Sequence, residues 1–296
     1  MSVEWYIKIL DTPAEMEAVE ELQRRVWPGS ETDVVPLHLL VTASHNGGLV
    51  IGAYHPQADS PDRLVGFVFG FTGLYSTPDG PRPKHCSHML GVDPQLRDQG
   101  LGFALKRAQW QMVRHQGLDR ITWTYDPLLS RNAYLNIAKL GAVCNLYQRE
   151  VYGDMRDGLN EGLPSDRFEV DWWVNSQRVQ RRLSRKARLR LDLAHFLAAG
   201  AEILNPSTGN GRDWPTPGSV TDLPKGEETS LLLVEIPADF QGLKAADREL
   251  ATAWRKHTRD LFEGLFANGF LVTDFIFLPG RHSRSYYVLS HGDSTF

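Results

Sequence analysis

The chain has 296 residues, of which 42% are hydrophobic and 23% are charged, and its formal net charge is −4. These values are ordinary for a globular protein with one large or two smaller cores, and they give no general reason to expect nucleic acid as a partner. The two cysteines, Cys86 and Cys144, exclude a disulfide framework, although a single bridge between them stays open, and a cytoplasmic location is expected. The first residues, MSVEWYIKIL, lack the features of a signal peptide, and no apolar run approaches the roughly 20 residues that span a bilayer.

The first half of the chain predicts strands and helices in the order β-α-α-β-β-β-α-β-α-β. Its first helix is the clearest, because Thr12-Pro13-Ala14-Glu15 combines a capping box with proline at the first helical position. The other elements follow from apolar residues at helical or alternating spacing and from glycine and proline turns. Strands are predicted at 3–10, 49–54, 64–75, 85–92, 120–125 and 142–151, and helices at 13–26, 37–42, 101–116 and 130–140.

The rest of the chain divides into a connector and a second block. We predict a first domain at 1–152, a connector with a basic helix and a mobile loop at 153–228, and a C-terminal α/β block at 229–296. The first domain and the C-terminal block share a plan in which a strand ending in proline is followed by a helix, a glycine and a strand. Two interpretations stay open: the block is a partial repeat of the first domain, or it is an α/β extension of the same sheet.

The segment LGVDPQLRDQGLGFA, residues 90–104, predicts an anion site. A strand that ends at Asp93-Pro94 leads through a short loop into a helix, whose free N–H groups and dipole favour negative charge. Gly100 and Gly102 have no side chain to keep a phosphate away from that backbone, and Arg97 adds a guanidinium. The segment is neither a P-loop, because Gly-Lys-Ser/Thr is missing, nor a dinucleotide fingerprint, because the third glycine is missing.

The pattern R-x-x-G-x-G after V-x-P resembles the coenzyme A loop of the GNAT superfamily of acyl-CoA N-acyltransferases. The layout of the chain, with D-R-F-x-V-D-W-W from Asp166 to Trp173 and an α/β tail, resembles a bacterial group of predicted GNAT proteins, some of which are associated with N-succinylation of amino acids. The resemblance implies an α/β (α+β) fold with a mixed, mostly antiparallel central sheet flanked by helices.

The resemblance also implies how acetyl-CoA or another acyl-CoA would be held. Loop N–H groups and Arg97 would bind the diphosphate, a backbone N–H at the strand end would serve as oxyanion donor, and Asn132 would bond the pantetheine amides or simply lie near a helix start. The residues expected to hold coenzyme A are Leu90, Gly91, Val92, Arg97, Asp98, Gln99, Gly100, Leu101, Gly102, Phe103 and Asn132.

The chain departs from the GNAT pattern where the acid that protonates the leaving group is usual. In many GNAT enzymes this acid is a tyrosine in the helix that precedes L-G-F, but Ile137 occupies that position and Ala142 replaces the phenylalanine. Tyr134 lies about one turn earlier and would reach a different depth of the cleft. We therefore expect another group, or solvent, to protonate the thiol.

His88 and Asp126 are the candidates for catalytic residues. Alternation along the strand puts His88 on the face of Leu90 and Val92, and imidazole titrates in the range that a general base needs; the other interpretation is an edge histidine. Asp126 follows a strand at the lip of the expected cleft, where it could bind or deprotonate an ammonium, or only open a turn. No metal is expected, because the histidines and the cysteine of this strand lack a second cluster of ligands.

Two further features have more than one interpretation. Trp123 and Tyr125 either line an acyl pocket or belong to the core. The basic run from Arg178 to Arg190 has apolar residues at every fourth position, which favours a helix with a solvated basic face. It could instead meet the 3′-phosphate of coenzyme A, an acidic acyl group or nucleic acid, but no aromatic-rich basic stripe supports the last.

These features predict a cytoplasmic N-acyltransferase that acts by direct attack on the thioester. It would move an acetyl or other short acyl group, succinyl included, to a primary amine of a small molecule such as an amino acid. The expected partner is that amine, without membrane or nucleic acid, and a homodimer is one option. The alternative is a non-catalytic acyl-CoA-binding sensor or regulatory module, which the isoleucine at position 137 favours.

Overall fold

The computed structural model describes residues 5–29, 31–56, 62–153, 162–184, 191–209, 214–220, 222–224 and 231–291. These residues divide into two units. Unit 1 comprises those up to Trp123 together with Trp173–Asn175, and unit 2 comprises the others. The units are drawn differently from the predicted blocks 1–152, 153–228 and 229–296, and these blocks stay a prediction.

Unit 1 is built on antiparallel strands with one parallel neighbour. Its strands are β1 (Tyr6–Ile9), β2 (Leu49–His55), β3 (Arg63–Thr77), β4 (Gly80–Val92) and the start of β5 (Arg120–Tyr125), and its helices are α1 (Pro13–Val26), α2 (Leu37–His45) and α3 (Leu101–His115). The strands lie in the order β1-β2-β3-β4-β5. Neighbours are antiparallel except β4 and β5, which are parallel.

The helices of unit 1 lie on both faces of its sheet. A Cβ atom at Gly66 of β3 would lie 3.0 Å from Leu105 of α3, so this face of β3 packs against α3. The next residue, Phe67, points to the other face, where it joins a buried cluster with Met16, Val19 and Leu22 of α1. The flanked sheet that the resemblance implies is therefore present in unit 1.

Unit 2 continues the alternation of helices and strands. Its helices are α4 (Ser130–Ala133), which continues as a π-helix over Tyr134–Lys139, α5 (Gln177–Leu183), α6 (Leu193–Ala198), α7 (Phe240–Ala246) and α8 (Arg248–Ala267). Its strands are β6 (Val143–Gln148), most of β7 (Arg167–Trp173), β8 (Glu202–Ile203), β9 (Leu231–Ile236), β10 (Phe270–Leu278) and β11 (Arg284–His291). They lie in the order β7-β6-β10-β11-β9-β8, and only β8 and β9 among the recorded pairs are parallel.

The order of elements predicted for the first half of the chain is confirmed in the described residues. A mixed, mostly antiparallel sheet flanked by helices, the predicted fold class, is also confirmed. Several boundaries differ by a few residues, and three differences concern the elements discussed below. The strand predicted from 85 begins at Gly80, the helix predicted at 130–140 changes from α to π at Tyr134, and the basic helix is described only to Leu183, so that Ala187 lies outside the described residues.

The interpretation of the C-terminal block as a repeat does not agree with its strand order. In unit 1 the strand before the long helix lies beside the strand after it, because β4 pairs with β5. In unit 2 the corresponding strands β9 and β10 are separated by β11. Strand β10 instead joins β6 through Val272 and Cys144, as an α/β extension of the sheet requires.

The motif from Asp166 to Trp173 has a structural role in unit 2. Asp166 is fully buried and accepts two hydrogen bonds from Arg259 of α8, at 2.8 and 2.9 Å. Phe168 lies edge-on to Phe262 and Tyr287, with ring centroids 4.8 and 5.4 Å apart. The motif thus attaches β7 to α8 and to the core.

None of the described helices combines the length and apolar character needed to cross a membrane.

The first helix begins as its sequence predicts. The Thr12 hydroxyl accepts the Glu15 N–H at 3.4 Å, and the Glu15 carboxylate accepts the N–H groups of Thr12 and Asp11 at 3.1 and 3.0 Å. The same carboxylate lies 2.6 Å from Lys8 Nζ of β1. One side chain therefore ties the start of α1 to the edge strand.

Replacing Glu15 by glutamine should make the stability of the protein less sensitive to acid. Burial alone would raise the pKa of the Glu15 carboxyl, but hydrogen bonds from Lys8, Thr12 and Asp11 outweigh it and lower the pKa from 4.5 to about 2. A pKa that is lowered on folding contributes stability above the unfolded value, and this stability is lost as the pH falls from about 4.5 to about 2. Denaturant unfolding across this range should show a steeper loss for wild type than for Glu15→Gln.

Glu17→Gln is the matched control, because Glu17 is an exposed glutamate on the same helix turn. It should keep the wild-type dependence on pH. Parallel pH profiles for wild type and Glu15→Gln would contradict the prediction.

Candidate functional site

The loop between β4 and α3 is anchored by a buried carboxylate. Asp93 is 3% exposed, and its side chain accepts hydrogen bonds from Arg63 at 2.5 Å and from the Gln95 N–H at 3.1 Å. The Asp93 N–H donates to the Val65 carbonyl at 2.9 Å. These bonds end β4 and begin the short 3-10 turn Pro94–Leu96. The loop that follows therefore starts from a fixed point.

The N-terminus of α3 is open. Gly100 precedes the helix with φ 87°, a left-handed conformation that glycine adopts without strain, and no side chain caps the helix. The first helical bond runs from the Ala104 N–H to the Gly100 carbonyl at 3.1 Å, so the N–H groups of Leu101, Gly102 and Phe103 precede it. A Cβ atom added to Gly100 would meet nothing within 4 Å. This end of the 15-residue helix can receive an anion.

Arg97 lies three residues before Gly100, in the loop that leads to this helix end. Its guanidinium donates to the backbone carbonyls of Val92 and Val26, both at 3.4 Å. Both acceptors are neutral and both bonds are long, so they position the guanidinium without neutralising it. The sequence-predicted diphosphate residues from Arg97 to Phe103 thus form one continuous segment around the start of α3.

Strands β4 and β5 part soon after they meet. Their recorded pairs are His85 with Ile121 and Cys86 with Thr122, whereas β4 continues to Val92. Alternate N–H groups of β4 beyond Cys86 face the side away from β3. The predicted oxyanion donors Leu90, Gly91 and Val92 belong to this stretch. Within unit 1, the parting strands form a fork, which we define by the last pair, Cys86 and Thr122.

A polar cluster that the sequence analysis did not predict is buried at the fork. Lys106 of α3 is 2% exposed, and its Nζ donates to Ser87 Oγ and Gln109 Oε1, both at 2.9 Å. The same Nζ lies 3.6 Å from the ring centroid of Trp123. Gln109 Nε2 donates to His85 Nε2 at 3.1 Å. Ser87 and Trp123 each follow the last paired residue of their strand, so Lys106 contacts both arms of the fork.

Burial changes the protonation of this polar cluster. Burial, together with the charge of Lys106, lowers the pKa of His85 to about 3, so this imidazole is neutral near pH 7. Its Nδ1 is buried and has no hydrogen-bond partner. Burial also lowers the pKa of Lys106 well below its usual value. An amine with a lowered pKa is closer to the range in which it can exchange protons at neutral pH.

Strict alternation predicts that His88 lies on the same face of the sheet as Leu90 and Val92, and the structure shows that this prediction is wrong. The pairing of β3 with β4 shifts between Phe69 and Gly70, which pair with Met89 and Ser87, so His88 is an extra residue in a β-bulge. Its ring packs edge-on against Phe69, with centroids 5.9 Å apart. It therefore lies on the face of α1 and α2, opposite α3. Desolvation against these rings lowers the pKa of His88 below its usual value.

Asp126, in unit 2, is held in a buried ion pair. Its two carboxylate oxygens accept hydrogen bonds from Arg255 at 2.8 and 2.5 Å, and one of them also accepts the Leu128 N–H at 2.9 Å. Asp126 and Arg255 are 7% and 3% exposed. The pair and the adjacent charges raise the pKa of the Arg255 guanidinium against the effect of burial. With these partners, Asp126 serves the packing of α8, and we do not carry its predicted role as base forward.

The remaining predicted residues of unit 2 separate into core and surface. Ile137 is completely buried. Tyr125 is also buried, and its hydroxyl lies 3.1 Å from that of Tyr287, so Tyr125 belongs to the core. Asn132 is half-buried on α4. Tyr134 is the first residue of the π-helix, a rare form that often occurs at functional sites.

The described part of the basic run is structural. Arg178 donates to the carbonyls of Gly141, at 3.0 Å, and Thr273. Arg182 donates to the Ala138 carbonyl at 2.5 Å and to Asp274 at 2.6 Å. Both arginines therefore attach α5 to the end of the π-helix and to β10. The run from residue 185 to 190 lies outside the described residues.

The described residues contain two free thiols, Cys86 and Cys144. Burial raises the pKa of Cys144 well above its usual value, which makes it inert. No three histidine, cysteine, aspartate or glutamate side chains of the described segments are grouped so as to hold a metal ion.

The sequence matches no family model and no curated protein. Solved structures to which the chain is similar include Arabidopsis thaliana NAA60 with a bisubstrate analogue, at 14% identity and a TM-score of 0.45 over 58% of this chain and all of that one. The ribosomal-protein-S18-alanine N-acetyltransferase from Escherichia coli is 14% identical, with a TM-score of 0.42 over 63% of this chain and all of that one. An acetyltransferase of the GNAT family from Streptococcus pneumoniae is 15% identical, with a TM-score of 0.42 over 57% and 98% of the two chains.

Breaking the pair of Asp126 and Arg255 should destabilise the protein by about 3–5 kcal/mol, because the remaining charge is left buried. We expect this loss for Arg255→Met in denaturant unfolding. The double variant Asp126→Asn, Arg255→Met should be more stable than Arg255→Met alone, because it removes both charges.

Arg149→Met is the matched control, because Arg149 forms an exposed pair with Glu263 of the same helix, α8, at 2.5 Å. Its effect should be much smaller than that of Arg255→Met, because solvent screens an exposed pair. An Asp126→Asn variant of wild-type stability that has lost turnover would restore the catalytic interpretation.

Proposed function

We propose that the chain is an acyl-CoA-dependent N-acyltransferase of the GNAT type. The observation that carries the proposal is the open N-terminus of α3, with Gly100 in the left-handed conformation at the end of the loop that follows a strand ending V-x-P. A diphosphate placed there would accept N–H groups from Leu101 to Phe103 and a guanidinium from Arg97. An anion site made of backbone N–H groups and a guanidinium, followed by an open strand edge, fits the diphosphate and amide-rich arm of coenzyme A.

The reaction uses groups of unit 1. The arm of coenzyme A passes Leu90, Gly91 and Val92, and the acyl carbonyl accepts an N–H of the open edge of β4 near Ser87, which stabilises the oxyanion as the amine attacks. His88, the bulge residue next to Ser87, takes the proton of the amine, because its neutral imidazole can act as general base. The bond from carbon to sulfur then breaks, and the thiol of coenzyme A leaves.

The proposal extends to the substrates. The donor carries an acetyl or other short acyl group, succinyl included, and the acceptor is a primary amine of a small molecule such as an amino acid, in the cytoplasm. Calorimetric titration of acetyl-, succinyl- and longer acyl-CoA thioesters, each with a panel of free amino acids, tests both choices. A panel of N-terminal peptides is the comparison arm, and turnover on peptides alone would overturn the small-molecule acceptor.

A second candidate function is a non-catalytic acyl-CoA sensor. The observation that favours it is Ile137, a fully buried core residue at the position where the resemblance leads one to expect a tyrosine acid. Steady release of free thiol from acyl-CoA with an amine decides for the enzyme. Tight binding of acyl-CoA without turnover on any amine decides for the sensor.

Gly100→Asp should weaken coenzyme A binding by at least about tenfold, because it puts a carboxylate where the diphosphate binds. Gly117→Asp is the matched control. Gly117 follows the other end of α3 with φ 76°, and a Cβ atom there would also meet nothing within 4 Å. The backbone strain of an aspartate is therefore similar at Gly117 and at Gly100, but only Gly100 lies at the proposed diphosphate site. Calorimetry should show near wild-type affinity for this control.

Gly100→Asn separates charge from bulk at the same position. Its affinity should lie between those of wild type and Gly100→Asp, and the difference between Asp and Asn should shrink as salt is added. Equal affinities for wild type and Gly100→Asp would remove the helix end from the coenzyme A site.

His88→Ala should lower turnover and remove the acid limb of the pH profile of kcat/KM. Desolvation lowers the pKa of His88 from 6.5, so in wild type this limb should lie below about pH 6.5, and activity should rise with pH as the imidazole loses its proton. His115→Ala, at the exposed end of α3, should keep both the rate and the limb. An unchanged limb in His88→Ala would return His88 to the role of an edge histidine.

A further inference from the structure

The polar cluster of Lys106, Ser87, Gln109 and His85 has no role in the steps described so far. It lies at the fork, where an arm that follows β4 from the start of α3 would end. The edge of β4 from Val92 back to Ser87 spans five residue steps, about 16 Å at the usual rise of a strand. This length is comparable to that of an extended pantetheine arm. The thiol end of coenzyme A would therefore arrive beside Lys106.

The cluster holds the Lys106 amine in one place. Nζ donates to Ser87 Oγ and Gln109 Oε1 at 2.9 Å each, and it lies 3.6 Å from the centroid of the Trp123 ring. These contacts come from β4, from α3 and from β5. Gln109 is itself oriented, because its Nε2 donates to the neutral His85. An amine fixed from three elements needs little rearrangement to meet a reacting atom.

We propose that Lys106 is the acid that protonates the sulfur of coenzyme A as it leaves. The inference rests on the proposed function. It assigns to Lys106 the role of the leaving-group acid, for which the resemblance leads one to expect a tyrosine at the position of Ile137.

The proposed step balances as follows. The amine nitrogen forms a bond to the acyl carbon, and His88 takes the amine proton. When the tetrahedral intermediate collapses, the bond between carbon and sulfur breaks and its electron pair goes to sulfur. The Lys106 ammonium gives a proton to this sulfur, and the products are the amide, the free thiol and a neutral lysine amine. Lys106 then regains a proton from water, and the proton on His88 returns to water.

The chemistry of the cluster suits this role. Burial lowers the pKa of Lys106 well below its usual value, which brings the ammonium closer in acidity to a thiol. His85, which faces Lys106 from β4 through Gln109, has a pKa of about 3 and stays neutral, so it does not take the proton. An arginine at position 106 would keep the charge and the donors but would not release a proton.

The test compares two acyl donors whose leaving groups differ. Acetyl-CoA releases a thiol that needs a proton, whereas p-nitrophenyl acetate releases a nitrophenolate that does not. For Lys106→Met, kcat with acetyl-CoA should fall at least about 100-fold, while kcat with p-nitrophenyl acetate should stay within about threefold of wild type. Lys106→Arg should show the same pattern, because proton donation is lost and charge is kept.

Two further variants complete the test. Arg114→Met is the matched control, because Arg114 is an exposed cation on the same helix, and it should leave both donors unchanged. Ser87→Ala removes one hydrogen-bond acceptor of Nζ and is the milder perturbation should Lys106→Met fail to fold. It should lower kcat with acetyl-CoA about tenfold and leave p-nitrophenyl acetate unaffected.

The outcomes separate this inference from the proposed function. Wild type that neither binds nor turns over acyl-CoA overturns the proposed function and the inference with it. Wild-type turnover with full activity of Lys106→Met or Lys106→Arg on acetyl-CoA overturns the inference alone. Equal losses on both donors in a folded variant also overturn it, because a merely structural lysine would affect both leaving groups alike.

Discussion

The early parting of β4 from β5 is the constraint on which the candidate site depends. Strands that stayed paired to their ends would use their backbone groups on each other and leave no place for a ligand. Here the recorded ladder ends at Cys86 and Thr122, and β4 continues as an edge toward the start of α3. The open helix end and this edge lie at the two ends of one continuous segment. The proposed diphosphate and extended arm would therefore bind mainly to backbone groups, with the guanidinium of Arg97 added.

Burying the polar cluster at the fork costs free energy of desolvation, and this cost indicates that the cluster has a function. Lys106 and Gln109 occupy buried positions on α3, where apolar residues would pack without needing partners. The cluster satisfies most of its polar atoms internally, through Ser87 and the ring of Trp123, but it still desolvates an ammonium. Buried groups with shifted pKa values are concentrated at sites of chemistry, although structural networks shift them as well. The location of this cluster at the fork favours chemistry.

Unit 2 uses buried charge differently. The carboxylates of Asp126 and Asp166 each form a two-bond pair with an arginine of α8, Arg255 and Arg259. Each pair joins the C-terminal block to a segment that precedes it by about a hundred residues. Such pairs have fixed geometry and contribute specificity of packing more than net stability. The C-terminal block is thus part of the core of unit 2, which accounts for Asp166 and Phe168 of the motif that begins at Asp166.

Local patterns in the sequence were sufficient for the order of elements, for the start of α1 at its capping box and for the glycine loop that leads into α3, because each depends on residues within a few positions of one another. Three features required contacts between distant segments. The bulge that moves His88 to the other face is set by the register with β3, and the partner of Asp126 comes from α8. The third feature is the burial of Lys106 and Gln109 on α3, on a helix that also buries Leu101, Leu105 and Val113. Hydrophobic periodicity cannot indicate a buried lysine, because the groups that make its burial tolerable, Ser87 and Trp123, are brought beside it only when the sheet forms.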